Sequence, residues 1–382
     1  MRKGIIIFLI ILVTFQSYFY NIYPVELFEI SIFLILFLVS TFIIFICDYR
    51  KLGVNSIVYY SVFIIFYFVF SYFRDSTYNY GNLTRSLILG FSWYLVPIFV
   101  MLTRELKEKW FDSIYFILYV ILVIQSVLSV FFILGLPTIN LLTENHQLGY
   151  LRYVGIMGGA NVNSNFNALI VSILILGPSR FKISKKVIII VLGIVSIIPS
   201  LSRLPLIIIF FLIAYLIRVY YTKKNVYNKL LVIILLFMSS CFLIHNLEKF
   251  NEIGTIKKIA LTMESGSDEI RSEKYSYGIS ILFNNINSIL IGPASESQTG
   301  RHIEFSDNSY IHMALSLGVP MFILYSIFLI YLIKQHKYDK TVELNIYTII
   351  FLIICFLNNA ILWIPFLFLF FIGFRIVGHN KK

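Results

Sequence analysis

The chain has 382 residues, of which 59% are hydrophobic and 13% are charged, and its formal net charge is +12. Because soluble domains carry about 25% charged residues, this composition excludes a soluble globular protein. Apolar runs of about 20 residues, the length that crosses a bilayer, recur along the whole sequence. Backbone groups find no water inside a bilayer, so such runs must be helices. We predict an all-α, polytopic integral membrane protein with about twelve transmembrane helices.

The apolar runs predict the bounds of these spans in chain order. The spans are 4–20, 28–47, 55–73, 84–103, 111–134, 161–178, 186–199, 204–220, 229–246, 309–333, 342–358 and 361–374. The first run resembles a signal peptide, but bulky residues follow it where a cleavage site would need small ones. We therefore interpret it as a retained first span. Cys47, Cys241 and Cys355 lie inside apolar runs without metal-ligand spacing, which predicts small core residues.

The basic residues indicate the orientation of the spans. If the N-terminus is cytoplasmic, every short loop on that side is basic, and these loops hold most of the 31 lysines and arginines. This is the positive-inside pattern, so we predict that both termini are cytoplasmic. The positive charge then orients the protein in its membrane and implies no nucleic-acid partner.

One predicted outer segment is much longer than the others. Residues 247–308 form a polar extracytoplasmic loop between spans nine and ten, and long loops in compact proteins are usually functional. Within this loop, residues 267–290 resemble an amphipathic helix that ends at Gly292-Pro293. Such a helix would suit the membrane surface. The chain as a whole, residues 1–382, is predicted to be a single multi-pass membrane domain.

Polar side chains gather at the outer ends of three spans. Ahead of span six, Arg152 and a glycine-rich stretch precede four asparagines, and span eight opens with Ser202 and Arg203. Span ten opens with the third group, which comprises Asp307, Asn308, Ser309, Tyr310 and His312. The four asparagines are Asn161, Asn163, Asn165 and Asn167. Asn161 and Asn165 would share one helix face, while Asn163 and Asn167 would share another.

Each group also has a purely structural explanation. The asparagines could belong to a glycine-rich turn and cap a helix. Arg203 could extend its side chain to the membrane interface. Asp307 could be the N-cap of span ten, and His312 could be a packed residue.

The predicted topology brings the three groups to one side of the membrane. Spans six, eight and ten all run from outside to inside, so their N-termini, with partial positive charge and free N–H groups, face the outer water. Arg152, Arg203, Arg271 and Arg301 could reach the same surface, and the guanidinium fork suits phosphate oxygens. We infer an outward-facing site for a lipid-borne phosphate or pyrophosphate. The outer loop has no acidic pair at metal-chelating spacing, so we predict no metal and no cofactor.

At these residues the chain resembles the bacterial O-antigen and capsule repeat-unit polymerases of the Wzy type, which are similar to the O-antigen ligases. The resemblance covers about residues 150–330 and consists of four elements in order. They are Arg152, Gly155 and Asn161; Ser202-Arg203; Arg271 followed by Gly292-Pro293; and Asp307-Asn308-Ser309-Tyr310 followed by Gly318. Ligases usually carry histidine where this chain has Asp307, which favours a polymerase.

The resemblance implies transfer of a growing glycan from undecaprenyl pyrophosphate onto the next lipid-linked repeat unit, at the outer face of the bacterial cytoplasmic membrane. It places Arg203 and Arg271 at the pyrophosphate, with Arg152 as a third arginine, and Asp307 at the acceptor hydroxyl. The remaining substrate-binding candidates are Asn161, Ser202, Asn308, Tyr310 and His312. A chain-length regulator is a further candidate partner. The alternatives are an O-antigen ligase and a lipid-linked oligosaccharide flippase, although a flippase usually has two related halves and no such repeat is visible.

Overall fold

The computed structural model describes part of the chain. The described residues are 8, 69, 103, 106–133, 143–145, 151–153, 155, 160–177, 182–200, 202–221, 267–292, 310–311, 314–315, 318–334, 341–357 and 364–379. Five predicted spans lie almost entirely outside these residues: 4–20, 28–47, 55–73, 84–103 and 229–246. Most of the predicted loop 247–308 also lies outside them, apart from residues 267–292.

The described residues are mainly helical. Their helices are α1 (Phe111–Ile133), α2 (Ala160–Leu176), α3 (Ile183–Ile197), α4 (Arg203–Tyr221), α5 (Ser267–Leu282), α6 (Ile286–Ile291), α7 (Val319–Lys334), α8 (Val342–Leu357) and α9 (Ile364–Val377). Two short strands, β1 (Thr143–Asn145) and β2 (Leu151–Tyr153), pair antiparallel with Glu144 opposite Arg152. An all-α prediction omits this pair, because three-residue strands carry too little periodicity to be recognised.

Most described helices begin and end within a few residues of the predicted runs, but α7 does not. The predicted span 309–333 is interrupted at Gly318, whose φ of 76° is outside the helical region. Residues 310, 311, 314 and 315 are helical before this break, and α7 begins only at Val319. The prediction of one continuous helix from residue 309 is therefore wrong.

Two of the described helical segments are long and apolar enough to cross a membrane, namely Glu108–Ile133 and Ile183–Ser200. In α1, Gln125 and Ser129 are fully buried, whereas Phe116 and Val127 are exposed. A helix that turns its polar residues inward and its apolar residues outward is the reverse of a water-soluble helix. This pattern supports a membrane environment for α1.

The chain divides into two compact units. One contains Tyr115–Ser267, and the other contains Tyr23–Ile114 and Asp268–Lys382. We call them the middle unit and the terminal unit. Helix α1 begins in the terminal unit and continues into the middle unit from Tyr115 onward.

Helix α2 forms the core of the middle unit, where all of its residues from 163 to 176 are buried. It packs against α3 and α4. Lys186, near the start of α3, donates a hydrogen bond from Nζ to the Ile175 carbonyl at the end of α2, at 2.8 Å. A Cβ on Gly193 of α3 would lie 2.7 Å from Val171 and 2.9 Å from Ile209. The three helices therefore run up, down and up, which places the N-termini of α2 and α4 at the same end.

In the terminal unit, two backbone contacts hold the end of α6 against the residues that precede α7. Gly292 follows α6 with φ 83° and lies directly against the Leu315 carbonyl, while Gly318 lies directly against the Leu290 carbonyl. We call this pair of backbone contacts the glycine crossing. Leu282 of α5 packs with Leu315 in a small buried cluster beside it.

The predicted helix 267–290 is two helices in the structure. Helix α5 ends at Leu282, and α6 starts after Asn285, whose Oδ1 accepts a hydrogen bond from the Ser288 N–H at 2.7 Å. This is an ordinary N-cap. The prediction that the segment ends at Gly292 agrees with the structure, whereas the prediction of a single continuous helix is wrong.

Helices α8 and α9 form an aromatic pair in the same unit. The Tyr347 hydroxyl donates to the Leu369 and Phe370 carbonyls, each at 3.3 Å, and the Phe351 and Phe370 rings stack with centroids 3.8 Å apart. Cys355 of α8 is fully buried. For this cysteine the prediction of a small core residue is confirmed, while Cys47 and Cys241 lie outside the described residues.

Candidate functional site

The structure describes the nine predicted site residues to different extents. Asp307, Asn308 and His312 lie outside the described residues. The backbones of the three arginines are placed, and they lie in β2 (Arg152), at the first position of α4 (Arg203) and in α5 (Arg271). Asn161, Ser202 and Tyr310 are described with their side chains.

The middle unit gathers four of these residues at one end. Strand β2, which carries Arg152, packs against the 3-10 turn Ile198–Ser200. That turn leads directly into buried Ser202 and then into Arg203. The same turn packs against α2, which carries Asn161 in its first turn. Three segments that are distant in sequence therefore meet at the N-terminal ends of α2 and α4.

Arg271 and Tyr310 belong instead to the terminal unit. Gly278 and Leu282 of α5 lie against Ile311 and Leu315, immediately after Tyr310. The helix that carries Arg271 is therefore packed on the segment that follows Asp307. Tyr310 itself is half-buried.

A row of buried polar side chains, which the predicted site did not include, crosses from α1 to α2. The Tyr153 hydroxyl donates to Gln125 Oε1 at 3.4 Å, and Gln125 Nε2 donates to Asn163 Oδ1 at 2.9 Å. All three side chains are fully buried. Gly155 lies directly against the Asn163 amide, where an added Cβ would collide with it. One signal for the row was available in the sequence, because an amide such as Gln125 inside an apolar run indicates a polar partner.

The asparagines of α2 are not helix caps. Helix α2 begins at Ala160, so Asn163, Asn165 and Asn167 lie inside it and are buried. Among the residues that the structure describes, no hydrogen-bond partner is found for Asn163 Nδ2, for Asn165 Oδ1 or for either side-chain atom of Asn167. Leaving such a group unsatisfied costs about 1–3 kcal/mol. Capping does not explain these three amides.

Asn161 differs from the other three because it is only half-buried, in the first turn of α2. Its backbone carbonyl accepts hydrogen bonds from Asn165 Nδ2 at 2.8 Å and from the Ser164 hydroxyl at 3.0 Å. This end of the unit therefore combines amide donors and acceptors with two helix N-termini. Such groups suit hydroxyl and phosphate oxygens.

Replacing Asn167 with leucine, which has nearly the same volume, should stabilise the protein by about 1–3 kcal/mol, because it removes two buried unsatisfied atoms. Thermal unfolding in detergent measures this change. Asn163→Leu is the matched control one helical turn earlier. It removes the hydrogen bond from Gln125 and should lower the unfolding temperature. If both variants were equally destabilised, Asn167 would have a partner in the folded protein.

Burial raises the pKa of Tyr153 to about 12. An unfolded chain would ionise this tyrosine near pH 10, whereas the folded protein keeps it neutral up to about pH 12. Between these pH values, ionisation of the unfolded chain therefore favours unfolding. Stability should therefore fall as the pH rises from about 10 to about 12, by about 3 kcal/mol for this residue. Tyr153→Phe should show a smaller decrease over the same range, and unfolding temperatures measured across it test this. Identical pH profiles for the two proteins would contradict the prediction.

Within the described ranges, no group of three or more His, Cys, Asp and Glu side chains is arranged to hold a metal ion. Asp307 lies outside these ranges, so the expected absence of a metal stays a prediction. The chain matches no protein-family model, and no curated protein and no solved structure is significantly similar to it. Its function must therefore be inferred from its own residues.

Proposed function

We propose that this chain is a multi-pass membrane glycosyltransferase that polymerises oligosaccharide repeat units. In this proposal it has about twelve spans, both termini are cytoplasmic, and residues 247–308 form the extracytoplasmic loop. The membrane is the bacterial cytoplasmic membrane. The apolar outward faces of the helices support a membrane location. Phe116 of α1 is exposed, and so are Ile207, Phe210 and Phe211 of α4.

The proposed reaction moves a growing glycan from its undecaprenyl-pyrophosphate carrier to the next lipid-linked repeat unit. A hydroxyl of the acceptor sugar attacks the anomeric carbon of the donor. The bond from that carbon to the pyrophosphate oxygen breaks, and the carrier leaves with both electrons of the bond. Asp307 orients the acceptor hydroxyl and takes its proton. Because pyrophosphate is already a good leaving group, the enzyme mainly has to stabilise its developing charge.

The observation that carries this proposal is the meeting of Arg152, Asn161, Ser202 and Arg203 at one end of the middle unit. Helices α2 and α4 run parallel, so their partial positive charges lie at that same end. Two arginines and two helix N-termini suit a pyrophosphate.

The terminal unit brings the helix that carries Arg271 close to the segment that follows Asp307 in the sequence. Helix α5 packs against residues 311 and 315, just after the Asp307-Asn308-Ser309-Tyr310 motif. The proposal therefore assigns Arg271 to the pyrophosphate, and Asn308, Tyr310 and His312 to substrate binding. The mechanism needs no metal or cofactor. A chain-length regulator remains a proposed partner.

Two other functions compete with this one. An O-antigen ligase would use the same groups, and Asp307 in place of a histidine is the feature that disfavours it. A flippase would bind the same lipid but needs alternating access, usually between two related halves. The sequence shows no such halves. The candidate arginines of the site are all predicted to lie on the outer side of the membrane.

The size distribution of the surface glycan in a strain that lacks this gene tests the proposal. A polymerase predicts that single repeat units replace the ladder of long chains. Full-length polymer retained on its lipid carrier would indicate a ligase. Loss of all surface glycan, with repeat units trapped on the inner leaflet, would indicate a flippase and would overturn the proposal. Restoring the gene on a plasmid is the control.

A further inference from the structure

Helix α6 and the end of α5 expose an unusual set of large apolar side chains. We call the set the α6 face, and it consists of Ile279, Phe283, Ile286 and Leu290. Ile286 is 73% exposed, more than any other large apolar side chain among the described residues, and Phe283 is 62% exposed. Exposure of such apolar surface to water is unfavourable, although this segment belongs to a loop predicted to be outside the membrane. The α6 face therefore needs an apolar environment.

The glycine crossing fixes the level of the α6 face relative to α7. Leu290 and Gly292 at the end of α6 lie against Gly318 and Leu315 through backbone contacts. Gly318 immediately precedes the first residue of α7. The end of α6 is therefore at the height at which α7 begins.

The length of α7 shows where that height lies in a bilayer. Its 16 residues extend over about 24 Å at 1.5 Å per residue, whereas the hydrocarbon core is about 30 Å thick. Lys334 at the far end carries a charge that belongs at the opposite membrane surface. Counted from Lys334, the glycine crossing lies at or inside the edge of the hydrocarbon core, and deeper still if α7 is tilted.

The exposed side of α7 is also apolar. Ile323, Leu324 and Ile327 are all exposed there, so α7 and the α6 face both present large apolar side chains at the surface. A position of α7 in lipid would therefore place the α6 face at the edge of the same bilayer, because the glycine crossing fixes the end of α6 at the start of α7.

We propose that the α6 face inserts into the acyl chains of the leaflet at the end of α7 opposite Lys334. The segment from α5 to α6 is then anchored twice, to the protein by the glycine crossing and to lipid by the α6 face. This anchor holds the helix that carries Arg271 at the membrane surface. The inference rests on the membrane architecture in the proposed function, but not on the reaction.

Site-directed spin labelling tests the insertion in vesicles of phosphatidylethanolamine and phosphatidylglycerol. The full-length protein, with its three native cysteines replaced by alanine, receives a nitroxide in the variants Phe283→Cys and Ile286→Cys. We expect both labels to collide severalfold more often with oxygen, which partitions into lipid, than with a water-soluble nickel chelate. Ser272→Cys, at an exposed position of α5, is the matched control, and its label should favour the nickel chelate.

A further label at Ile327→Cys on α7 separates two kinds of failure. If that label is in lipid while the labels at 283 and 286 meet the nickel chelate, the inserted α6 face is wrong and the proposed function stands. A protein partner would then be the better occupant of the face. If the label at 327 also meets the nickel chelate, α7 does not cross the membrane as proposed, and the proposed architecture fails together with the inference.

Discussion

Replacing Arg203 with lysine should shorten the surface polysaccharide and reduce its amount about ten- to hundredfold. Arg203 is the first residue of α4, at the end of the middle unit where β2 and the start of α2 also meet. Lysine keeps the charge but loses the planar fork that binds two phosphate oxygens at once. A hydrogen bond to a charged group contributes about 1.5–3 kcal/mol, and each 1.4 kcal/mol or so of transition-state stabilisation corresponds to about tenfold in rate.

Gel separation of surface glycan from cells that carry the variant as their only copy measures this effect. Arg218→Lys is the control, because Arg218 is exposed in the last turn of the same helix, at its opposite end. That variant should give a normal ladder. Arg271→Lys should behave like Arg203→Lys. Normal polymerisation by both variants, at equal protein levels, would exclude two-oxygen phosphate binding by these arginines.

Gly318→Ala should destabilise the terminal unit by about 3 kcal/mol or more. Its φ of 76° is a conformation that side chains adopt only with strain, and an added Cβ would lie 2.6 Å from the Leu290 carbonyl carbon. Strain at such a position and overpacking each cost about 1–3 kcal/mol. The colliding atoms belong to the backbone of α6, so no rotation of a side chain can relieve the contact.

The control for this prediction is Gly278→Ala in α5. A Cβ there would lie 3.3 Å from Ile311 Cγ2 and 3.4 Å from Leu315 Cδ1, which are side-chain methyl groups and not backbone atoms. Alanine also favours a helix more than glycine does, by about 1 kcal/mol, so this variant should change stability little. Thermal unfolding of both variants in the same detergent compares them. Equal unfolding temperatures would mean that the glycine crossing does not contribute to stability.

The sequence predicted the long apolar helices well and their interruptions poorly. Helices α1 to α4 follow continuous apolar runs, so their bounds could be read directly from hydropathy. The break before α7 depends on the φ of Gly318, which exists because α6 crosses the chain at that point. A local signal was nevertheless present, because Pro320 follows Gly318 and such a pair marks a helix break, but the predicted span ran through it. The short strands β1 and β2 were missed because three residues carry too little periodicity to be recognised.

The candidate site was predicted to a similar extent. Alternating helix directions placed Asn161 and Arg203 at one end of their spans, and the parallel course of α2 and α4 agrees with that placement. Periodicity separated the face of Asn163 and Asn167 from that of Asn161 and Asn165, but it could not show which face meets another polar group. That information came from Gln125, a residue that lies one helix earlier in the chain. Asp307 and the side chains of the arginines keep their roles as predictions.

The glycine crossing brings main-chain atoms at the end of α6 into direct contact with main-chain atoms just before α7. A contact between main-chain atoms depends chiefly on the two glycines, so exposed residues of the surrounding loop can change while the path of the chain stays the same. Only the two glycines would have to remain for the path of the chain to be kept.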